Sequence, residues 1–281
     1  MQNRSIYNSD HELFRENARR FFRSELEPNI EQWEEDSVVP RSLWEKAAEN
    51  GFLCCGVPEE YGGPGADFLY NMVLSEETGY AIGGASVGFS VQADIVAYYL
   101  LSAGTEDQKK YWLPKMVTAE KIAAIGMTEP GVGSDLKNLR TTAVRDGDEY
   151  VINGQKTFIT NGQNCDFVLV ACTTDPSAGG RGISLIIVET DRSGFSRGRN
   201  LSKIGQKAAD TSEMFFQDVR VPVSNLVGEE GEGFRIMMRE LPRERITIAC
   251  RAQAEAQRAF DITTDYVKER KAFGKAIFEF Q

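Results

Sequence analysis

The sequence predicts an α+β protein made of an N-terminal helical domain, a middle β-barrel or β-sandwich domain and the start of a C-terminal helical bundle. Three observations predict this order. Apolar residues recur at helical spacing up to about residue 120, short β-rich runs alternate with turn signals from there to about residue 227, and helical spacing then returns. We place the domains at residues 1–121, 122–230 and 231–281.

Capping signals mark the predicted N-terminal helices. Ser9 and Glu12 have the spacing of a capping box, as do Thr105 and Gln108. Gly51 is a predicted C′ glycine that ends a helix beginning near residue 40. Apolar spacing predicts two more helices over residues 71–79 and 92–103.

Three hairpin-type dipeptides divide the predicted β-domain: Asp146-Gly147, Asn153-Gly154 and Asn161-Gly162. Strands are predicted around them and farther on, over residues 150–152, 167–172, 183–189 and 213–216. Such short, evenly spaced strands are typical of a sandwich or barrel and not of βαβ units.

Composition excludes several classes of function. The 281 residues carry a formal net charge of −10, which argues against a general nucleic-acid or anionic-membrane binder. No apolar run reaches the ~20 residues of a membrane span, and the first residues lack the pattern of a secretory or transit peptide. Five cysteines without CxxC spacing favour reduced thiols in a cytoplasmic protein, with no metal site.

The chain has one histidine, His11, which we expect at the surface beside a helix start. A Ser-His-Asp triad or a three-histidine metal site is therefore close to excluded. Any acid–base chemistry must use carboxylates, lysine or tyrosine.

Two segments are candidates for binding a planar cofactor. Residues 128–135 combine glycines, hydroxyls and backbone N–H groups; they either form a plain turn or approach a heterocycle or phosphate closely. They do not match a dinucleotide fingerprint, because Leu136 occupies the third glycine position. Phe158 and Thr160 share one strand face, where they either end a strand or wall a planar ring.

Three motifs in this order strongly resemble the acyl-CoA dehydrogenases, closest to their long-chain branch: MTEPGVGSD at 127–135, NGQKTFITNG at 153–162 and RKAFGK at 270–275. The resemblance covers essentially the whole chain. It implies an FAD enzyme of fatty-acid β-oxidation that converts acyl-CoA to trans-2-enoyl-CoA, with α-proton removal by a glutamate and hydride transfer to flavin N5. It also implies an electron-transferring flavoprotein as acceptor, a homotetramer, and a bacterial-type cytoplasmic or a mitochondrial-matrix location.

The resemblance assigns roles to particular residues. The residues expected to contact FAD are Ile125, Met127, Thr128, Gly133, Ser134, Phe158, Ile159, Thr160, Arg270, Phe273 and Gln281. Of these, Arg270 and Gln281 match positions that in relatives contact the FAD of a neighbouring subunit. Residues expected to contact the substrate are Ser134, Arg181, Pro242, Arg243 and Arg245.

Glu244 is the candidate base, because LPRERI at 241–246 resembles the branch that carries its base on the helix after the β-domain. From the residues alone, an ordinary first-turn glutamate, favoured by the helix dipole after Pro242, is the preferred interpretation of Glu244, and only the resemblance favours the base. A carboxylate base needs a dry pocket that raises its pKa towards the working pH.

Two other interpretations stay open: an oxidase that uses oxygen, or a non-catalytic scaffold on the same fold. The last residues, 276–281, are apolar and lack a C-cap, and the resemblance places further helices after them. We therefore expect a C-terminally shortened member of the family.

Overall fold

The computed structural model describes residues 5–81 and 87–280. Its N-terminal part is helical, as predicted. Seven α-helical stretches are described there, with a π-helical segment Val91–Val96 between the fifth and sixth: α1 (Ser9–Glu25), α2 (Ile30–Asp36), α3 (Arg41–Glu49), α4 (Phe68–Tyr80), α5 (Val87–Ser90), α6 (Ala97–Ala103) and α7 (Glu106–Val117).

The start of α1 differs from the prediction. Asn8, not Ser9, is the N-cap, and its side chain accepts the backbone N–H of Asp10 and of His11. His11, not Glu12, is the second residue of the capping box, since its Nδ1 accepts the Asn8 backbone N–H at 3.2 Å. This contact and Asp67, 3.3 Å from His11 Nε2, hold the imidazole in the interior, so the surface prediction for His11 was wrong.

Two other helix signals are confirmed. The Thr105 side chain accepts the Gln108 N–H, and the Gln108 side chain accepts the Thr105 N–H, which completes the capping box of α7. Gly51 has a φ of 72° just after α3, as a C′ glycine requires.

The middle domain is an eight-stranded mixed sheet. Its strands are β1 (Ala123–Gly126), β2 (Thr142–Asp146), β3 (Glu149–Thr160), β4 (Phe167–Thr173), β5 (Ile183–Glu189), β6 (Phe195–Asn200), β7 (Thr211–Pro222) and β8 (Leu226–Val227). The order is β6-β7-β3-β2-β4-β5-β8, with β1 paired to β4. The β1–β4 and β2–β4 pairs are parallel and the others antiparallel.

Both faces of the central strands are buried, which explains their unbroken apolar sequences. Val168 and Val170 of β4 pack in one hydrophobic core, with helices α1 and α3. The alternate residues Phe167 and Leu169 pack in a second core, with helices α6 and α7. The sheet is therefore covered on both sides, as continuous apolar strands require.

Asp146-Gly147 forms the predicted hairpin turn between β2 and β3. Asn153-Gly154 does not; the prediction of a hairpin there was wrong. It lies inside β3, where the register with β7 shifts between Ile152 and Gly154. A Cβ on Gly154 would lie 2.5 Å from Thr141 Oγ1, so a glycine is required here because Thr141 packs closely against the β3 backbone. Asn161-Gly162 forms a turn that ends β3 without making a hairpin.

A single long helix, α8 (Gly233–Glu269), follows the sheet and packs along α4. Gly79 of α4 permits close packing, since a Cβ there would lie 2.6 Å from the Arg251 carbonyl oxygen. The chain then forms a small hairpin of β9 (Lys271–Ala272) and β10 (Lys275–Ala276). In the described ranges no helix is long and apolar enough to cross a membrane.

Candidate active site

The end of β1, the end of β3, the π-helical segment and α8 meet around a cavity of about 550 Å³. Seven of the sequence-predicted site residues line it: Ile125, Met127, Thr128, Phe158, Ile159, Thr160 and Glu244. The fold thus brings the two candidate cofactor segments and the candidate base to one place, although Glu244 lies more than 80 residues beyond Thr160 in the sequence.

The end of β3 is distorted where it reaches this cavity. The register with β7 shifts between Lys156 and Ile159, and Phe158 has a φ of 60°. Positive φ is an outlier for a bulky residue and is retained at functional sites when neighbouring contacts impose it. Here the distortion leaves the Phe158 ring 67% exposed at the cavity.

Asn161 anchors the turn beyond the distortion. Its side-chain N–H group donates to the carbonyl oxygens of Gly88 and Ala123, both at 2.9 Å. These bonds connect the end of β3 to β1 and to α5. The position of Phe158 and Thr160 is therefore set by fully buried polar contacts.

A buried ion pair holds the loop after β1 against β3. Lys156 Nζ donates to Glu129 Oε1 at 2.8 Å and to the Met127 carbonyl oxygen at 3.1 Å. Glu129 also accepts the backbone N–H groups of Arg140 and Thr141. Burial alone would raise the pKa of Glu129, but Lys156 and Thr141 outweigh it and hold this pKa below its usual value.

The cavity wall suits a flavin ring. Thr128 and Thr160 offer hydroxyls to polar ring atoms, and Phe158 offers an exposed aromatic face. Along the same loop a Cβ built on Gly131 or on Gly133 would meet no atom within 4 Å, so the backbone there is open to a ligand. Together these features fit a planar, polar-edged cofactor.

Glu244 lies in the first part of α8 and reaches the same cavity. Its Oε1 accepts the hydroxyl hydrogen of Tyr99 at 2.9 Å. Burial raises the pKa of Glu244, with a further contribution from the charge of Glu240, while Tyr99 and Arg245 oppose the shift. A raised carboxyl pKa in a cavity is what a proton-accepting base needs.

Residues that sequence reasoning missed continue the α8 wall: Thr247, Ile248, Arg251, Ala252 and Glu255. Their spacing from Glu244 at i+3, i+4, i+7, i+8 and i+11 is one helical face, so this signal was present in the sequence. At 1.5 Å per residue the face runs for about 16 Å. Arg251 Nε donates to Glu255 Oε1 at 2.8 Å at its far end.

The remaining predicted site residues lie outside this cavity. Gly133 and Ser134 are exposed in a loop, Arg181 is exposed in a 3-10 helix, and Arg245 is exposed on α8. Pro242 and Arg243 line a separate groove with Tyr98 and Glu240. Arg270 and Phe273 are exposed in the C-terminal segment, and Gln281 falls outside the described residues.

Three family models match the chain in order. The acyl-CoA dehydrogenase N-terminal domain matches residues 8–120, the middle domain residues 124–219 and the C-terminal domain residues 231–281. Together they span the helices, the sheet and the long helix described above.

Individual relatives agree. The chain is 45% identical to the long-chain specific acyl-CoA dehydrogenase of Sus scrofa, over 99% of this chain and 65% of that protein. An acyl-CoA dehydrogenase from Geobacillus kaustophilus superposes with a TM-score of 0.97 at 51% identity, over 99% of this chain and 74% of that one. A glutaryl-CoA dehydrogenase from Mycobacterium smegmatis, solved in complex with FADH2, is 29% identical with a TM-score of 0.90, over 98% and 70% of the two chains.

The chain thus spans about 65% of the length of its mammalian long-chain relatives. The identities, the three matched domains and the shared fold lead to one conclusion. The chain belongs to the acyl-CoA dehydrogenase family.

Proposed function

We propose that this protein catalyses the FAD-dependent α,β-dehydrogenation of acyl-CoA thioesters to trans-2-enoyl-CoA, as in fatty-acid β-oxidation. One observation carries the proposal: the carboxylate of Glu244 shares a cavity with the hydroxyls and the aromatic ring that suit a flavin. The two partners of the reaction, a base and a hydride acceptor, must flank the same carbon–carbon bond.

We assign FAD to the wall formed by Met127, Thr128, Phe158 and Thr160, with Ile125 and Ile159 beside them. FAD supplies the acceptor for the hydride that leaves the β-carbon. Ser134 and Arg181, both exposed, remain our proposed contacts for the CoA portion. Pro242, Arg243 and Arg245 remain proposed substrate contacts at the edge of the site.

Glu244 takes the α-proton of the thioester in this proposal. Because burial raises its pKa, the carboxylate gains more from accepting a proton than an exposed glutamate would. Val91, Ile95 and Ile248 add apolar side chains to the cavity wall, which suit the acyl chain of the substrate. This reaction needs neither a metal nor a protein nucleophile.

The test is a titration with FAD followed by anaerobic addition of a long-chain acyl-CoA, with flavin absorbance as the signal. We expect the protein to take up FAD and the flavin to bleach. Glu244→Gln should keep FAD affinity but slow bleaching by at least ~10³-fold, because it removes the proton acceptor. Glu240→Gln is the control: it lies one turn earlier on α8 and pairs with Arg239 and Arg243 outside the cavity. Because the charge of Glu240 helps to raise the pKa of Glu244, this variant should shift the pH profile of bleaching to lower pH but keep a near-normal plateau rate.

Other outcomes separate the alternatives. Near-normal bleaching by Glu244→Gln would refute the base assignment. A protein that takes up no FAD would favour the scaffold interpretation, and rapid peroxide formation in air would favour an oxidase. Bleached enzyme that is reoxidised by an electron-transferring flavoprotein and only slowly by oxygen supports the dehydrogenase.

We further propose that the protein works as a homotetramer. Large apolar side chains exposed on α8 and the C-terminal segment support assembly: Phe260, Ile262, Tyr266, Phe273 and Phe278. Light scattering after size exclusion measures the mass in solution. A monomer at micromolar concentration would contradict this part of the proposal.

A further inference from the structure

The hydroxyl of Tyr99 donates a hydrogen bond to the carboxylate of Glu244, the candidate base. We propose that Tyr99 is a positioning residue: its hydroxyl holds one carboxylate oxygen of Glu244 so that the other oxygen serves the cavity. The inference rests on the proposed function, in which Glu244 is the base. It assigns a role to a residue that no sequence motif singled out.

The geometry carries this inference. Tyr99 Oη lies 2.9 Å from Glu244 Oε1, and the two residues are 145 positions apart, on α6 and α8. Tyr99 is 0% exposed and belongs to the core that also contains Leu100, Phe167 and Met237. The ring therefore cannot move easily, and its hydroxyl is a fixed donor to a side chain that lines the cavity.

Holding the carboxylate in this way has a functional consequence. Glu244 has three side-chain torsions, and a free glutamate loses rotamer entropy when it adopts one reactive orientation. Among the described residues, Oε1 is bonded to Tyr99 and Oε2 has no protein donor. The bond thus orients the acceptor before substrate arrives, which is the usual source of efficiency in a positioned base.

The bond also adjusts the protonation of Glu244. A donor to the ionised carboxylate favours that form, and so it limits the rise in pKa that burial imposes. Burial and the charge of Glu244 raise the pKa of Tyr99 itself, so the phenol remains a donor throughout the working range. Among the residues that the structure describes, the charged groups around Glu244 belong to α8: Glu240, Arg245, and Arg251 with Glu255 farther along the cavity.

Tyr99→Phe is the test, because it removes only the hydroxyl. Its matched control is Tyr98→Phe, whose ring stacks on the Arg243 guanidinium 3.9 Å away and does not bond to Glu244. The first readout needs no cofactor: the protein carries ¹³C-carboxyl glutamate, and the Glu244 resonance is identified by its loss in Glu244→Gln. We expect Tyr99→Phe to move the Glu244 midpoint to higher pH by about one to two units, and Tyr98→Phe to leave it unchanged.

The second readout is the pH profile of anaerobic bleaching by acyl-CoA in the FAD-loaded protein. In Tyr99→Phe the acidic limb should move upward by the same amount, and the rate on the alkaline plateau should fall about tenfold because the carboxylate is no longer held. Incorporation of 3,5-difluorotyrosine at position 99, a more acidic phenol, should move the Glu244 midpoint in the opposite direction and keeps the test decisive if Tyr99→Phe folds poorly.

An unchanged Glu244 midpoint in both position-99 variants would overturn the proposal. So would an unchanged plateau rate in Tyr99→Phe, because a positioning role requires that loss. If the midpoint moves but Glu244→Gln still bleaches normally, the base assignment itself fails, and the positioning role fails with it. The cofactor-free measurement therefore distinguishes the two failures.

Discussion

Replacing Lys156 by methionine should destabilise the fold by about 3–5 kcal/mol, because it leaves the charge of Glu129 buried without its partner. The Lys156 side chain is 0% exposed and that of Glu129 is 5% exposed, so water cannot replace the ammonium. The Arg140 and Thr141 N–H groups remain bonded to Glu129 and keep the cost within this range.

Urea unfolding followed by circular dichroism measures the effect. If the free energy of unfolding falls by ~3 kcal/mol per molar urea, a variant that is less stable by about 3 kcal/mol unfolds at a urea midpoint about 1 M lower. The matched control is Arg220→Met, which breaks two ion pairs, to Asp146 and to Glu149, whose partners are 43–62% exposed. Exposed pairs contribute little, so we expect a change of about 1 kcal/mol or less.

The pH dependence follows from Glu129. Its pKa is depressed in the folded state, so its stabilising contribution is present above the unfolded value of ~4.3 and is lost as the pH falls through the folded value. The difference between wild type and Lys156→Met should therefore shrink in acid.

A second variant completes the test. Glu129→Gln combined with Lys156→Met removes both charges and should recover most of the stability, since no charge is left unpaired. The reasoning is refuted if Lys156→Met costs no more than Arg220→Met, or if the double variant is as unstable as the single one. Both variants that lack Lys156 should also bind FAD more weakly, because Lys156 holds the Met127 carbonyl of the cofactor loop.

Three further predictions test other features. Phe158→Gly should stabilise the fold by about 1 kcal/mol in urea, by relieving a φ of 60°, while weakening FAD binding in a titration; lower stability would contradict the strain argument. Asp94 is buried, which raises its pKa to about 7, so wild-type stability should fall as pH rises from ~3.9 to about 7, and Asp94→Asn should remove this slope in a pH series of urea midpoints. Gly79→Ala should cost about 1–3 kcal/mol through its clash with Arg251, whereas Gly131→Ala, which meets open space, should leave the melting temperature nearly unchanged.

Local signals in the sequence were sufficient where neighbouring residues decide the structure. The capping box of Thr105 and Gln108, the C′ glycine Gly51 and the Asp146-Gly147 turn all formed as predicted, because each depends on contacts within a few residues. The same reasoning failed at Asn153-Gly154, where pairing with β7 and the closeness of Thr141 override the turn propensity.

Tertiary contacts decided the rest. The sheet order and the parallel β1–β4 pair come from long-range pairing that no local pattern encodes. His11 is buried, and its imidazole contacts the carboxylate of Asp67, which lies 56 residues away in the sequence.

The amino-acid sequence alone therefore determined the order of helices and strands, the two candidate cofactor segments and, through the resemblance, the candidate base. Only the fold decided that these segments share one cavity with Glu244 and that the Tyr99 hydroxyl donates to the Glu244 carboxylate. The physical reason is that periodicity and turn chemistry act over a few residues, whereas a desolvated carboxylate needs partners from distant helices to set its position and its pKa.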